Sequence, residues 1–118
     1  MDIEVNEYVR TKNGVIDKVD ALYGMIENTV HLENQKWFDI KDITKHSKQL
    51  IDLIEVGDIV NRHLVIDKYE DVDEYGNDFW CLIIEDDSLL NRSIRKENIQ
   101  TILTKEQYMA NCYKVGGE

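Results

Sequence analysis

Apolar and polar residues alternate in short runs along most of this chain, and the period of two predicts strands joined by turns rather than long helices. In the first half the runs are Tyr8-Val9-Arg10, Val15-Ile16-Asp17-Lys18-Val19, Met25-Ile26-Glu27, Thr29-Val30-His31-Leu32 and Trp37-Phe38-Asp39-Ile40-Lys41-Asp42-Ile43. In the last of these, Phe38, Ile40 and Ile43 are expected to face the core. In the second half they are Ile59-Val60, Val65-Ile66-Asp67-Lys68-Tyr69, Phe79 through Ile84, Ser93-Ile94-Arg95 and Asn98 through Leu103. Phe79 to Ile84 is continuously apolar, as expected of a central strand buried on both faces. Asn13-Gly14 predicts a type I′ turn, which needs positive φ at both central residues and makes a tight hairpin. Tyr23-Gly24, Glu33-Asn34-Gln35-Lys36 and Glu85-Asp86-Asp87-Ser88 read as further turns, and the chain contains no proline.

Two stretches break the strand pattern. Leu50, Ile51, Leu53 and Ile54 fall at helical spacing behind Ser47, whose hydroxyl can accept the first free N–H groups, so one short helical turn is expected there, ended by Gly57-Asp58. Thr104 with Gln107 forms a capping box and Leu103 with Tyr108 a hydrophobic staple. They predict a short C-terminal helix with Tyr108, Met109, Cys112 and Tyr113 on one face, stopped by Gly116-Gly117.

The two halves echo each other. Val-Ile-Asp-Lys occurs at Val15 and again at Val65, Ile59-Val60 opens the second half as Tyr8-Val9 opens the first, and Ser47-Lys48-Gln49 stands before Val56-Gly57 as Thr104-Lys105-Glu106-Gln107 stands before Val115-Gly116. An internal period near fifty implies a duplication. The expected fold is mainly β, a β-rich α+β chain of two units, residues 1–57 and residues 58–118 with the C-terminal helix, forming one compact domain of two pseudo-repeats. Strand, hairpin, strand, strand and helical turn in each unit resemble tandem small SH3-like barrels. Tyr8-Val9-Arg10-Thr11-Lys12-Asn13-Gly14, Lys45-His46-Ser47, Ile51 to Asp58 and Ile99 to Gln107 are similar to a family of small uncharacterised proteins carried by phages and prophages of Firmicutes. That resemblance implies a phage origin and brings no catalytic residue with it; Glu70 to Phe79 departs from its pattern.

Composition narrows the partners. The chain has 118 residues, 42% of them hydrophobic, and 24 acidic against 14 basic residues give a net charge of -10. Such a charge repels DNA, RNA and anionic membrane surfaces and favours a basic protein partner. No run approaches the roughly 18 apolar residues of a membrane span. Met1-Asp2-Ile3-Glu4 lacks the basic start and apolar run of a signal peptide, so a cytoplasmic location in a bacterial host is expected. Cys81 and Cys112 sit among apolar neighbours without metal-ligand spacing and read as small buried hydrophobes.

Catalytic and metal chemistry finds little to rest on. His31, His46 and His63 lack ligand partners at i+2, i+3 or i+4. Asp71, Asp73 and Gly76 imitate the start of a calcium loop, but its twelfth position is Leu82 instead of a bidentate glutamate. No glycine loop leads from a strand into a helix to cradle phosphate. A non-enzymatic protein without cofactor or metal is therefore expected. The remaining feature is an acidic hairpin, in which Asp67, Glu70, Asp71, Asp73, Glu74 and Asp78 fall within twelve residues beside one basic residue, Lys68, interleaved with Tyr69 and Tyr75. Carboxylates spaced along a ribbon can stand in for a phosphate backbone in a basic groove, with the tyrosines adding contact area. Against a merely solvated loop, this predicts an acidic inhibitor of a basic nucleic-acid-targeting defence protein of the host. The alternative is a module holding a nucleotide-like signal between the two units, stacked on Trp37, Trp80 or a tyrosine and held by Lys12, Arg62 or Arg95.

Overall fold

A computed structural model describes residues 2–22, 28–34, 37–85 and 92–111. The expected Tyr23-Gly24 turn, the strand Met25-Ile26-Glu27, and Cys112, Tyr113 and Gly116-Gly117 lie outside the described residues, as do Gln35-Lys36 and Asp86-Asp87-Ser88 of two further turns. Among the described residues the chain is mainly β, with two antiparallel sheets of five strands each and one short helix. It divides into two compact units between Ile54 and Glu55, three residues before the expected boundary. The reason is local: the turn Glu55 to Asp58 is hydrogen-bonded to Val65 and so belongs to the second unit.

In the first unit, β1 (Tyr8–Thr11), β2 (Ile16–Leu22), β3 (Thr29–Leu32), β4 (Trp37–Asp39) and β5 (Ile43–Ser47) lie in the order β4-β3-β2-β1-β5. A 3-10 turn, Ile40–Asp42, precedes β5 and interrupts what the sequence suggests is one long strand from Trp37 to Ile43. Asp39 begins it by accepting the Lys41 N–H at 3.1 Å. A second 3-10 turn, Leu50–Leu53, follows β5 where helical spacing predicts it, and the Ser47 hydroxyl accepts the Gln49 N–H at 3.0 Å just ahead of it. Ile3, Val9, Val19, Val30, Leu32 and Ile43 form the core, with Phe38 and Ile40 packed against it. Arg10 is wholly buried and donates from Nη1 to the Leu53 carbonyl at 2.9 Å, an interior role that alternation alone does not reveal.

In the second unit, β6 (Ile59–Val60), β7 (His63–Val72), β8 (Asp78–Ile84), β9 (Arg92–Arg95) and β10 (Ile102–Leu103) lie in the order β10-β6-β7-β8-β9. A 3-10 turn, Lys96–Asn98, precedes β10, so the strand expected from Asn98 shrinks to Ile102–Leu103. Helix α1 (Lys105–Asn111) follows it. Its capping box is present in both directions: Gln107 N–H donates to Thr104 Oγ1 at 3.3 Å and Thr104 N–H donates to Gln107 Oε1 at 3.1 Å. Tyr108 and Met109 of its expected apolar face are exposed. The β7, β8 and β9 register sets Val65, Leu82, Ile84 and Ile94 on one face, and all four are buried. β8 does lie between two strands, but Trp80 stays exposed and Phe79 and Ile83 partly so; only Cys81 adds a buried side chain on the second face. Among the described residues no helix is long and apolar enough to cross a membrane.

Both units contain one device. In the first, Asn6 has φ 75°, its N–H donates to the Val19 carbonyl, Val19 N–H donates to the Glu7 carbonyl, and Glu4 N–H donates to the Glu7 carboxylate at 2.7 Å. In the second, Gly57 has φ 100°, its N–H donates to the Val65 carbonyl, Val65 N–H donates to the Asp58 carbonyl, and Glu55 N–H donates to the Asp58 carboxylate at 2.7 Å. The ladder then shifts register after Val19 in one unit and after Val65 in the other, a bulge that bends the strand. In these bonds Val65 stands where Val19 does, so the two Val-Ile-Asp-Lys strings, at Val15 and Val65, fall at different places in their units.

The leading hairpins of the two units also correct the turn assignment. At Asn13-Gly14 only Gly14 has positive φ; Gly14 N–H donates to the Thr11 carbonyl and Thr11 N–H to the Val15 carbonyl, giving a three-residue loop with Gly14 as the left-handed residue instead of a type I′ turn. The type I′ geometry occurs at Asn61-Arg62, with φ 51° and 70° between the paired Val60 and His63. Asn61 is secured by accepting the Gln100 and Thr101 N–H groups at 2.7 and 3.0 Å.

Candidate functional site

The acidic stretch forms the outer part of the β7–β8 hairpin. Val65 and Ile84 enclose a hairpin six residues longer than that between the corresponding Val19 and Leu32, which supplies the extra length of the ribbon. Its loop runs from Asp73 to Asn77, shorter than the expected tip of Glu70 to Asp78 because both strands continue into it. The loop is again a type I turn with a left-handed glycine: Gly76, φ 80°, donates to the Asp73 carbonyl at 3.0 Å and Asp73 N–H to the Asn77 carbonyl at 2.9 Å. The Asp73 carboxylate accepts the Tyr75 and Asn77 N–H groups at 2.8 and 2.9 Å. These bonds, that from Asn77 foremost, hold its pKa below the ordinary aspartate value, with the Arg95 charge contributing. Asp73 and Gly76 imitate a calcium loop because a tight turn makes the same demands, a short acceptor and a left-handed glycine. Among the described residues no group of three or more His, Cys, Asp or Glu side chains could hold a metal ion.

The predicted site residues do not share one face. Pairing of Asp67 with Ile83, Tyr69 with Cys81 and Asp71 with Phe79 sets Asp67, Tyr69 and Asp71 on one side, where Ser93 and Arg95 of β9 join them. The Tyr69 hydroxyl and Ser93 Oγ are 2.8 Å apart, and the Arg95 guanidinium lies over the Phe79 ring at 4.5 Å. Glu70 and Asp78 lie on the other side with Trp80, and Lys68 Nζ stands over the Trp80 ring at 5.0 Å. Glu74 and Tyr75 occupy the tip, where Tyr75 is 81% exposed.

The carboxylates also differ in occupation. Asp67 and Asp71 each accept the N–H of the following residue at 2.8 Å, and Asp73 binds the turn; Glu70, Glu74 and Asp78 are exposed. The acidic ribbon as read from the sequence leaves out Phe79, Trp80, Arg95 and Lys96, of which Trp80 and Arg95 are expected only in the alternative ligand site; with Asp73, Asn77, Asp78 and Glu97 these four border an open depression beside the tip. The aromatics could have been found from alternation across the hairpin. Arg95 could not, since its place depends on the β8–β9 register. Of the residues proposed to hold a nucleotide-like ligand, Lys12 pairs with Asp42 at 3.7 Å, Arg62 forms the β6–β7 turn, and Trp80 and Arg95 are engaged as above.

The histidines are separate. His31 Nδ1 lies 2.6 Å from Asp20 Oδ1 with the Trp37 ring edge-on at 5.2 Å, and His46 Nδ1 lies 3.1 Å from Glu7 Oε2. Cys81 is a buried free thiol, as its apolar neighbours imply; Cys112 lies outside the described residues. No protein-family model, curated protein or solved structure matches the chain.

Proposed function

We propose that this chain is a phage- or prophage-derived, non-enzymatic binding protein that engages a basic, nucleic-acid-targeting host defence protein through the tip of the β7–β8 hairpin. The observation that carries the reading is the extended ribbon itself, which presents Glu70, Glu74 and Asp78 around the exposed Tyr75 on a well-bonded turn. A stiff turn orders its side chains before binding, so less conformational entropy is lost on association. Arg95 and Lys96 beside the tip set a limit: the partner's cations are expected to reach the Glu74 and Glu70 side rather than the Arg95 side. Asp67, Asp71 and Asp73 support the ribbon's backbone, and Glu70, Glu74 and Asp78 supply the contact charge.

The two units are proposed to be copies of one SH3-like unit, each closing into a small barrel. Support comes from the identical strand order, with the first strand between the second and the last, the 3-10 turn ahead of the last strand, and the shared turn and bulge. An experimental structure in which Val19 and Val65 do not superpose would remove the duplication.

The binding test uses E70Q/E74Q/D78N, with a partner first captured from a Firmicute lysate at low salt and then purified. The triple variant should associate roughly tenfold or more slowly than the parent, with a flattened dependence on salt, and duplex DNA should compete with the parent for the partner. Equal association rates for the two proteins at low salt, or no competition by DNA, would refute the reading.

A further inference from the structure

Beyond Val65 the two edges of β7 differ. One edge pairs with β8 as far as Val72, whereas on the other β6 reaches only His63 and Leu64, and no further strand adjoins it among the described residues. The phase of the ladder follows from its far end, where Asp73 N–H donates across to Asn77. Antiparallel pairing alternates direction, so Asp71, Tyr69 and Asp67 bond toward β8, and the N–H and C=O groups of Lys68, Glu70 and Val72 turn outward. Such an edge is a template for another strand.

Two of these three outward N–H groups are already taken. Lys68 N–H donates to Asp67 Oδ1 and Val72 N–H to Asp71 Oδ1, each at 2.8 Å. A short acidic side chain that captures a neighbouring N–H competes directly with a strand ladder. The occupant it excludes can be identified from the edge itself. A second copy meets the edge in phase: in an antiparallel twofold pairing about Glu70, Lys68, Glu70 and Val72 of one copy meet Val72, Glu70 and Lys68 of the next, and Val72 is 55% exposed. With both caps in place, only the Glu70 N–H of each copy remains to donate, and Glu70 would face its own counterpart, a like-charge pair. We infer that Asp67 and Asp71 hold the outer edge of β7 closed to strand addition by a second copy of this chain. The role is independent of any basic partner at the tip and explains why two carboxylates of the acidic stretch turn back onto their own backbone.

The test separates the caps from their charge. D67A/D71A removes both, whereas D67N/D71N removes the charge but keeps an amide oxygen at each capping position. Light scattering at one fixed concentration should give D67A/D71A at least twice the parent's mass, and D67N/D71N the parent's mass. A parental mass for the alanine variant, or equal association of both variants, would overturn the inference. If circular dichroism shows the alanine variant unfolded, amide exchange in the parent decides. After correction for intrinsic rates, the Lys68 and Val72 amides should exchange roughly tenfold or more slowly than that of Glu70, and equal rates would count against the caps.

Discussion

Asp58 is the residue at which the second unit should prove most sensitive to a polar substitution. Its side chain is fully buried and accepts two backbone N–H groups, Glu55 at 2.7 Å and Lys105 at 2.9 Å. One closes the turn before β6 and the other opens α1, so a single carboxylate joins segments nearly fifty residues apart in sequence. A hydrogen bond to a charged group contributes about 1.5–3 kcal/mol, and a donor left unmet by truncation forfeits it. The charge at the start of α1 adds about 0.3–1 kcal/mol. Lys105 N–H is only partly buried, so water recovers some of its bond, and Asp58→Ala is expected to lose about 3–5 kcal/mol. Domains of this size are stable by only ~5–15 kcal/mol, so the loss is a large fraction of the total. Asp58→Asn keeps one acceptor but turns an NH2 group toward the other donor, and should lose about 2 kcal/mol. Each unit contains one tryptophan, and Trp37 is exposed, so Trp37→Phe leaves Trp80 as a fluorescence reporter of the second unit. In urea, with a slope of about 1–3 kcal/mol per molar, the Asp58→Ala midpoint should fall by roughly 1–5 M. A midpoint unchanged from the Trp37→Phe parent would mean that the carboxylate contributes nothing at this junction.

Three further outcomes are expected. Thr104→Ala should lower stability by about 1 kcal/mol and reduce helical ellipticity, because it removes half of the capping box; an unaltered melting curve would argue that α1 is frayed in solution. Leu82→Ala, at a fully buried position, should cost about 2–5 kcal/mol and Ile83→Ala, partly exposed on the other face, distinctly less; equal losses in urea titrations would contradict the assigned faces of β8. For Glu7, burial raises the pKa, but the Glu4 N–H, the His46 ring and the Lys48 charge outweigh it and leave the carboxyl below its ordinary value of 4.5. A depressed folded pKa stabilises above the unfolded value, so this contribution is complete above about pH 4.5 and disappears as pH falls through the folded pKa. Glu7→Gln should flatten that part of the acid-unfolding profile, and an unchanged profile would show that Glu7 is not among the groups responsible.

Short-range order was legible in the chain before any folding. The period of two located most strands, the Thr104–Gln107 spacing determined the capping box, and the helical spacing of Leu50 to Ile54 marked a single turn, because each depends on residues a few positions apart. The acidic ribbon was legible as a hairpin for the same reason: Gly76 and Asp73 carry the turn by themselves. Tertiary structure decided the rest. Asn61-Arg62 has no glycine to announce a type I′ turn; it adopts one because only two residues separate the paired Val60 and His63. The bulge after Val65 sets which acidic side chains share a face, and a one-residue shift there moves every later side chain to the opposite side. Arg95 reaches Phe79 only through the β8–β9 register, and Asp58 gains its second partner only when β10 returns beside β6 and delivers Lys105. Local spacing thus determined which elements form, whereas long-range pairing decided which carboxylates support the backbone and which remain at the surface.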